Sequence, residues 1–175
     1  MSKATATTIL PERVSAAAPC VTWSFVKRRA AHLLACGFGV GLFPGAPGTA
    51  GTLAALPLYW ILDDRVTGAD FLLLVALLFA AGVWACGATG RALGSADHGA
   101  MVWDEIVAFL LVLFFTPAGF AWVLSAFLLF RIFDVVKPWP IPYFERALPG
   151  GFGVMFDDLF AAFYTLLCLA LIRLF

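Results

Sequence analysis

Apolar segments separated by short polar or Pro/Gly-rich breaks make up most of the chain after residue 22. The clearest is Phe71–Gly90, which holds no charged residue. At 1.5 Å per residue it is long enough to cross about 30 Å of hydrocarbon as a helix. The stretch Val102–Val136 is also mostly apolar, but Thr116–Gly119 in its middle has turn chemistry, so it predicts two helices rather than one kinked helix. A last span is predicted at about Val154–Phe175.

The first apolar region is interrupted. Residues Gly41–Gly51 contain two prolines and four glycines, which do not sustain a regular helix. Such a break at membrane depth is tolerated only where it is buried in protein or lines a wet cavity. We expect a helix from about Thr49 to Leu62 after the break. The region Ala31–Leu62 as a whole could cross the membrane, re-enter it or lie along its surface.

Composition makes lipid the expected solvent. Hydrophobic residues are 63% of the chain, charged residues 13%, and the mean hydropathy is +0.98. An average soluble domain carries about 25% charged residues. The predicted fold is therefore all-α: a polytopic membrane helix bundle with about five short transmembrane helices and one broken Pro/Gly-rich segment. Residues 1–22 are assigned to a flexible cytoplasmic tail and residues 23–175 to the membrane-embedded domain.

Charge gives an orientation and excludes some functions. The basic residues that fall at segment ends share one side, which the positive-inside rule places in the cytoplasm: Lys27, Arg28, Arg29, Arg91, Arg131, Lys137 and Arg146. The net charge is zero without a basic block, so no nucleic-acid partner is expected. The four cysteines are widely spaced and lack both a zinc pattern and the Cys-x5-Arg motif of cysteine phosphatases.

Six acidic residues fall on the same predicted side as these basic residues: Asp97, Asp104, Glu105, Asp134, Asp157 and Asp158. A carboxylate inside a membrane helix is costly unless it is paired or ligated, so their convergence suggests a shared cation. Carboxylates, water and a substrate phosphate together suit Mg²⁺. Plainer roles stay open: Asp157 and Asp158 could cap a helix, and Arg131 and Asp134 could form a structural ion pair.

Spacing sharpens the prediction. Asp97 and Asp104 are seven residues apart, as are His98 and Glu105, so each pair can share a face if the helix extends back that far. Residues 131, 134 and 137 are expected to form one polar stripe. Residues 157 and 158 are expected to open the last helix, where carboxylates suit the positive helix end.

Three strings and three shorter motifs resemble the phosphatidylglycerophosphatase A family, in the same order as in that family. They are Val102-Trp-Asp-Glu-Ile-Val, Phe130-Arg-Ile-Phe-Asp-Val-Val-Lys-Pro-Trp-Pro-Ile141, Gly150-Gly-Phe-Gly-Val-Met-Phe-Asp-Asp158, Gly37-Phe-Gly, Pro44-Gly-Ala-Pro-Gly-Thr49 and Asp97-His-Gly99. The resemblance covers about Ala31 to the C-terminus. It implies a bacterial inner-membrane enzyme that hydrolyses the phospholipid phosphatidylglycerophosphate to phosphatidylglycerol and phosphate, with Mg²⁺, at the cytoplasmic face.

Under this hypothesis, carboxylates hold one or two Mg²⁺ ions that activate a water molecule. The candidate ligands are Asp104, Glu105, Asp134, Asp157, Asp158 and Asp97. Arg131 and Lys137 are expected to bind the phosphate, and Gly48 and Thr49 to offer backbone N–H groups to it. The general acid or base is left open between His98 and the catalytic carboxylates Asp104, Glu105 and Asp134.

Other functions and mechanisms compete with this hypothesis. Broken segments beside carboxylates also suit a small transporter or ion-binding membrane protein, although the sequence has no visible inverted repeat. An inactive subunit of a lipid-synthesis complex is a third possibility. A covalent aspartyl-phosphate route lacks its Asp-x-Asp motif. A homo-oligomer is possible.

Overall fold

The computed structural model describes residues 21–66 and 68–174, apart from the side chains of residues 145 and 146, and these ranges contain helices and no strand. The predicted tail therefore lies outside the described residues except for its last two. The helices are α1 (Trp23–Val26), α2 (Ala30–Ala35), a 3₁₀ segment (Gly37–Leu42), α3 (Pro47–Asp63), α4 (Gly68–Leu93), α5 (Trp103–Phe115), α6 (Phe120–Val136), α7 (Ile141–Ala147) and α8 (Gly151–Leu174). The all-α prediction is confirmed for this part of the chain.

The turn chemistry of the sequence ends helices where it was expected to. α5 stops at Phe115 and α6 starts at Phe120, so the apolar stretch does form two helices. Gly119 adopts a φ of 130°, which an L side chain rarely adopts. α6 ends before Lys137, whose left-handed backbone (φ 44°) turns the chain into Pro138.

The Pro/Gly-rich break is shorter than predicted. α3 starts at Pro47 instead of Thr49, because a proline is well tolerated in the first helical turn, where its missing N–H is not needed. Gly48 and Gly51 consequently lie inside the helix, and the irregular chain is confined to residues 43–46.

Two further helix boundaries differ from the predictions. α5 begins at Trp103, so Asp97 and His98 lie in the preceding loop, and they do not share a helix face with residues 104 and 105. α8 begins at Gly151, and its first turn holds no acidic residue. Asp157 and Asp158 are therefore well inside the helix, and the prediction that they open it is wrong.

α5 is the centre of the bundle. Val107, Phe109, Leu110 and Val112 are fully buried, and α3, α4, α6 and α8 all contact this helix. Trp103 ties the start of α5 to α4 by donating from Nε1 to the Leu78 carbonyl at 3.1 Å.

Glycines bring α4 and α8 close together. A Cβ on Gly151 would overlap the carbonyl oxygen of Val83 and lie 2.5 Å from the amide nitrogen of Gly87. Small residues permit this backbone approach, as they do where helices pack in membranes.

Two helices among the described residues, α4 and α8, are long and apolar enough to cross a membrane. The predicted number of about five spans is not confirmed. Each of the two helices leaves large apolar side chains exposed: Leu72, Leu73, Leu77 and Trp84 on α4, and Phe163, Leu167, Leu171 and Ile172 on α8. Apolar faces of this extent fit a membrane protein.

Candidate active site

The starts of α3, α5 and α8 meet the end of α6 at one end of the bundle. Gly48 in α3 lies against Glu105 in α5 and Arg131 in α6. Lys137, directly after α6, contacts Asp157 in α8. Four helices thus bring their acidic and basic motifs to one end of the bundle.

Three carboxylates form the centre of this site. Asp104, Glu105 and Asp158 each offer one oxygen, and these oxygens lie within 4.8 Å of one another. Asp104 is only 6% exposed and Asp158 only 3%. Backbone amides hold two of the neighbouring carboxylates in place: Glu105 N–H donates to Asp104 Oδ1, and Asp158 N–H donates to Asp157 Oδ1, each at 3.0 Å.

Two oxygen atoms of this cluster are buried and have no hydrogen-bond partner among the residues that the structure describes. They are Glu105 Oε2 and Asp158 Oδ2. A buried carboxylate oxygen is costly unless it is hydrogen-bonded, protonated or ligated to a metal. Both atoms belong to the three-carboxylate cluster, so their position suits ligands of a cation.

Arg131 links three helices beside the cluster. Its Nη1 lies 2.6 Å from Asp134 Oδ2 and 3.6 Å from Glu105 Oε1. The same nitrogen donates to Thr52 Oγ1 at 3.4 Å, and Thr52 donates to the Gly48 carbonyl at 3.0 Å. The guanidinium is therefore held from α3, α5 and α6.

Thr52 was missed by the sequence analysis. It is fully buried and lies four residues after Gly48, one helical turn further along α3. That spacing was the available signal, but the predicted helix start at Thr49 gave no reason to place Thr52 beside Arg131.

The predicted stripe of residues 131, 134 and 137 is only partly observed. Asp134 pairs with Arg131 on the same helix, as expected. Lys137 instead pairs with Asp157 of α8, its Nζ 2.5 Å from Oδ2. The left-handed backbone at Lys137 is the reason, since it takes the side chain off the helical face.

Gly48 places the backbone of α3 directly on the site. A Cβ at this position would overlap Glu105 Oε1 and lie 3.2 Å from both terminal nitrogens of Arg131. Thr49 follows in the first turn and is half-buried, but it does not cap the helix, because Ala46 occupies the cap position.

Asp97 and His98 lie in the loop between α4 and α5, outside the three-carboxylate cluster. Asp97 lines a small cleft of about 70 Å³ together with Asp157. His98 Nδ1 accepts the Ala100 N–H at 3.2 Å, which leaves Nε2 as the other polar atom of the ring.

The residues present fit a divalent cation. Five carboxylates converge here with two cations, so excess negative charge would repel a phosphate unless further positive charge is bound. Carboxylate oxygens are the ligands that Mg²⁺ and Ca²⁺ prefer, and two of these oxygens accept no hydrogen bond from the described part of the chain. The arrangement can hold a cation next to an arginine that is positioned to bind an anion.

Comparison with known proteins agrees with this chemistry. A profile of the phosphatidylglycerophosphatase A family matches residues 33–173. A relative named phosphatidylglycerophosphatase A from Haemophilus influenzae is 47% identical over 137 residues, which are 78% of this chain and 84% of the relative. A relative of the same name from Escherichia coli (strain K12) is 44% identical over 131 residues, which are 74% of this chain and 76% of the relative. No solved structure matches the chain.

The family match and the site coincide. The matched residues 33–173 include all members of the carboxylate cluster and both of its cations. The resemblance inferred from short motifs is confirmed. The chain belongs to the phosphatidylglycerophosphatase A family of lipid phosphatases.

Proposed function

We propose that this chain hydrolyses the terminal phosphomonoester of phosphatidylglycerophosphate, releasing phosphatidylglycerol and phosphate, in a Mg²⁺-dependent reaction at the cytoplasmic membrane face. The names of its relatives support the substrate. The observation that supports the metal is a pair of buried oxygens without a hydrogen-bond partner in the described ranges, Glu105 Oε2 and Asp158 Oδ2.

Asp104, Glu105 and Asp158 are the proposed core ligands, because their oxygens are close enough to share one ion. Asp134, Asp157 and Asp97 extend the acidic site around them. When bound, Mg²⁺ would polarise a phosphoryl oxygen and lower the pKa of a water molecule. The side chains of the protein would bind the phosphate and orient the attacking water.

Arg131 and Lys137 would bind the terminal phosphate. Because Thr52, Glu105 and Asp134 hold Arg131, its planar fork needs little reorganisation to pair with phosphoryl oxygens. Gly48 and Thr49 belong to the first turn of α3, where backbone N–H groups have no helical acceptor and can bind an anion.

His98 is proposed to donate a hydrogen bond to the leaving glycerol oxygen. Since Nδ1 accepts the Ala100 N–H, the proton of the neutral ring is on Nε2, which can donate this hydrogen bond but keeps the proton. Asp104, Glu105 and Asp134 would orient the attacking water, and one of these carboxylates would take its proton and pass it to the leaving oxygen.

Five membrane spans are proposed, namely α3, α4, α5, α6 and α8. The shorter helices qualify by composition: α5, for example, is apolar from Ile106 to Phe115. With this topology the carboxylate cluster lies at the end that also carries most of the basic residues. The positive-inside rule then places the site in the cytoplasm.

The test is phosphate release from phosphatidylglycerophosphate by detergent-purified protein, with Mg²⁺ and with EDTA, for the natural chain and for Asp134→Asn. Release that requires Mg²⁺ and is lost in a folded Asp134→Asn variant supports the proposal. Asp64→Asn is the matched control, since Asp64 is exposed at the far end of α3.

Two results would contradict the proposal in different ways. Undiminished release in EDTA would refute the metal mechanism but leave the substrate in place. No release under any condition would favour the transporter or the inactive subunit.

A further inference from the structure

A second cleft lies beside the candidate active site, between the end of α4, the loop that follows it and the start of α8. Its volume is about 240 Å³. Glycines form much of the wall, among them Gly87, Gly90 and Gly150, and the charged residue that lines it is Arg91. Arg91 is therefore the group of this cleft that can bind an anion.

This cleft adjoins the carboxylate site. The smaller cleft that contains Asp97 and Asp157 shares Ala96 and Gly150 with it. Asp157 in turn pairs with Lys137 and precedes Asp158 of the three-carboxylate cluster. The two adjoining clefts therefore extend from Asp157, beside the proposed site of phosphate hydrolysis, to Arg91.

Arg91 differs from the two cations of the active site. Arg131 and Lys137 each form an ion pair with a carboxylate, whereas Arg91 forms none with a side chain that the structure describes. Its guanidinium lies over the crossing of α4 and α8. A Cβ at Gly87 would be 3.5 Å from Arg91 Nη1 and 3.3 Å from the Gly151 nitrogen.

We propose that this cleft binds the phosphodiester of the substrate headgroup and that Arg91 is a specificity-determining residue. The inference rests on the proposed function. Phosphatidylglycerophosphate carries a terminal phosphomonoester and, one glycerol unit away, an anionic phosphodiester. With the monoester at the carboxylate cluster, the neighbouring cleft supplies for the diester a cation, Arg91, that has no carboxylate partner among the described side chains.

The experiment uses two inhibitors that each carry one half of the headgroup. Phosphatidylglycerol has the diester without the terminal phosphate, and inorganic phosphate resembles the monoester. Both are tested against phosphatidylglycerophosphate hydrolysis in mixed micelles, with the natural chain, Arg91→Gln and Arg91→Lys. Arg65→Gln, which removes an exposed cation at the far end of α3, is the matched control.

In Arg91→Gln, loss of a charge-assisted contact should raise KM and the inhibition constant for phosphatidylglycerol about tenfold. The inhibition constant for inorganic phosphate and kcat should stay within about twofold. Arg91→Lys should recover part of the loss, and Arg65→Gln should behave like the natural chain.

Three results would overturn the inference. They are an equal loss for both inhibitors, no change in Arg91→Gln, and a natural chain that phosphatidylglycerol does not inhibit. A natural chain that releases no phosphate at all would overturn the proposed function together with this inference. The retained kcat of Arg91→Gln shows that the variant is folded.

Discussion

At the residue scale, Glu105 and Asp158 each bury a carboxylate oxygen without a hydrogen-bond partner among the described residues. This burial destabilises the fold, but it leaves both oxygens available to bind a cation. Asp158→Asn replaces one carboxyl group of this buried acidic cluster with a neutral amide. We expect the metal-free variant to melt at a higher temperature than the natural chain, by roughly 2–4 °C for each kcal/mol gained. Activity should fall on the order of 100-fold, since a proposed ligand is lost.

Thermal melting in detergent with EDTA and with Mg²⁺ checks this. The natural chain should gain stability from Mg²⁺, and Asp158→Asn should gain much less. Asp64→Asn should respond to Mg²⁺ as the natural chain does. Equal responses of Asp158→Asn and the natural chain would remove Asp158 from the ligand set.

Gly48 supplies a second prediction at this scale. Gly48→Ala should lower activity about 10- to 100-fold, because the added Cβ would displace Glu105 or Arg131. Alanine is the better helix former by about 1 kcal/mol, so the displacement need not lower the melting temperature. Activity and melting temperature are measured together, so that a loss of activity without a loss of stability identifies a local effect at the site. An active Gly48→Ala enzyme would contradict the close approach of α3.

At the element scale, a buried histidine holds α2 against α4. His32 is buried, its Nδ1 lies 3.0 Å from Thr89 Oγ1, and its ring stacks on Phe25. Burial first, and then the charges of Arg29 and Arg28, lower the pKa of His32. The ring is therefore neutral in the folded chain near neutral pH.

This lowered pKa predicts a pH dependence of stability. The unfolded chain takes up a proton at His32 near pH 6.5, about the ordinary pKa of histidine, while the folded chain resists it. The stabilisation of the fold by the neutral His32 ring is therefore fully present above about pH 6.5 and is lost as the pH falls below that value. Between about pH 7.5 and 5.5, the melting temperature of the natural chain should drop more than that of His32→Gln. Parallel curves for the two proteins would contradict this role.

Helix ends are predictable from the sequence where the turn residues that cause them are neighbours in the chain. Turn residues at 116–119 and the prolines after Lys137 separate helices in the sequence and in the structure alike. Helix starts were less predictable. Pro47 has the sequence signature of a helix break but is the first residue of α3, and Gly150 and Gly151 obscure the early start of α8 in the sequence.

At the scale of the whole molecule, the proposed topology places the carboxylate end in the cytoplasm. Ala92→Cys lies near that end and Ala118→Cys in the opposite turn, and both positions are exposed. A membrane-impermeant maleimide added to intact bacterial spheroplasts should label Ala118→Cys at once. Ala92→Cys should be labelled only after permeabilisation, with the unsubstituted chain as background. The reverse pattern would invert the topology.

The sequence by itself determined the helical class, the helices around residues 71–90, 102–115 and 120–136, and the family. Apolar length, turn composition and motif order are properties of neighbouring residues, so they can be read without coordinates. It also indicated which side of the bundle carries the acidic and basic groups.

Only the tertiary structure decided which of these acidic and basic groups contact one another. In the structure, Asp104, Glu105 and Asp158 lie around one point. Lys137 pairs with Asp157. Thr52 binds Arg131, and the backbone of Gly48 lies against Arg131 and Glu105. Asp97 and His98 lie apart in a loop. These relations depend on helix rotation, on helix starts and on one left-handed residue, and a shift of a single residue turns a side chain by about 100° around its helix.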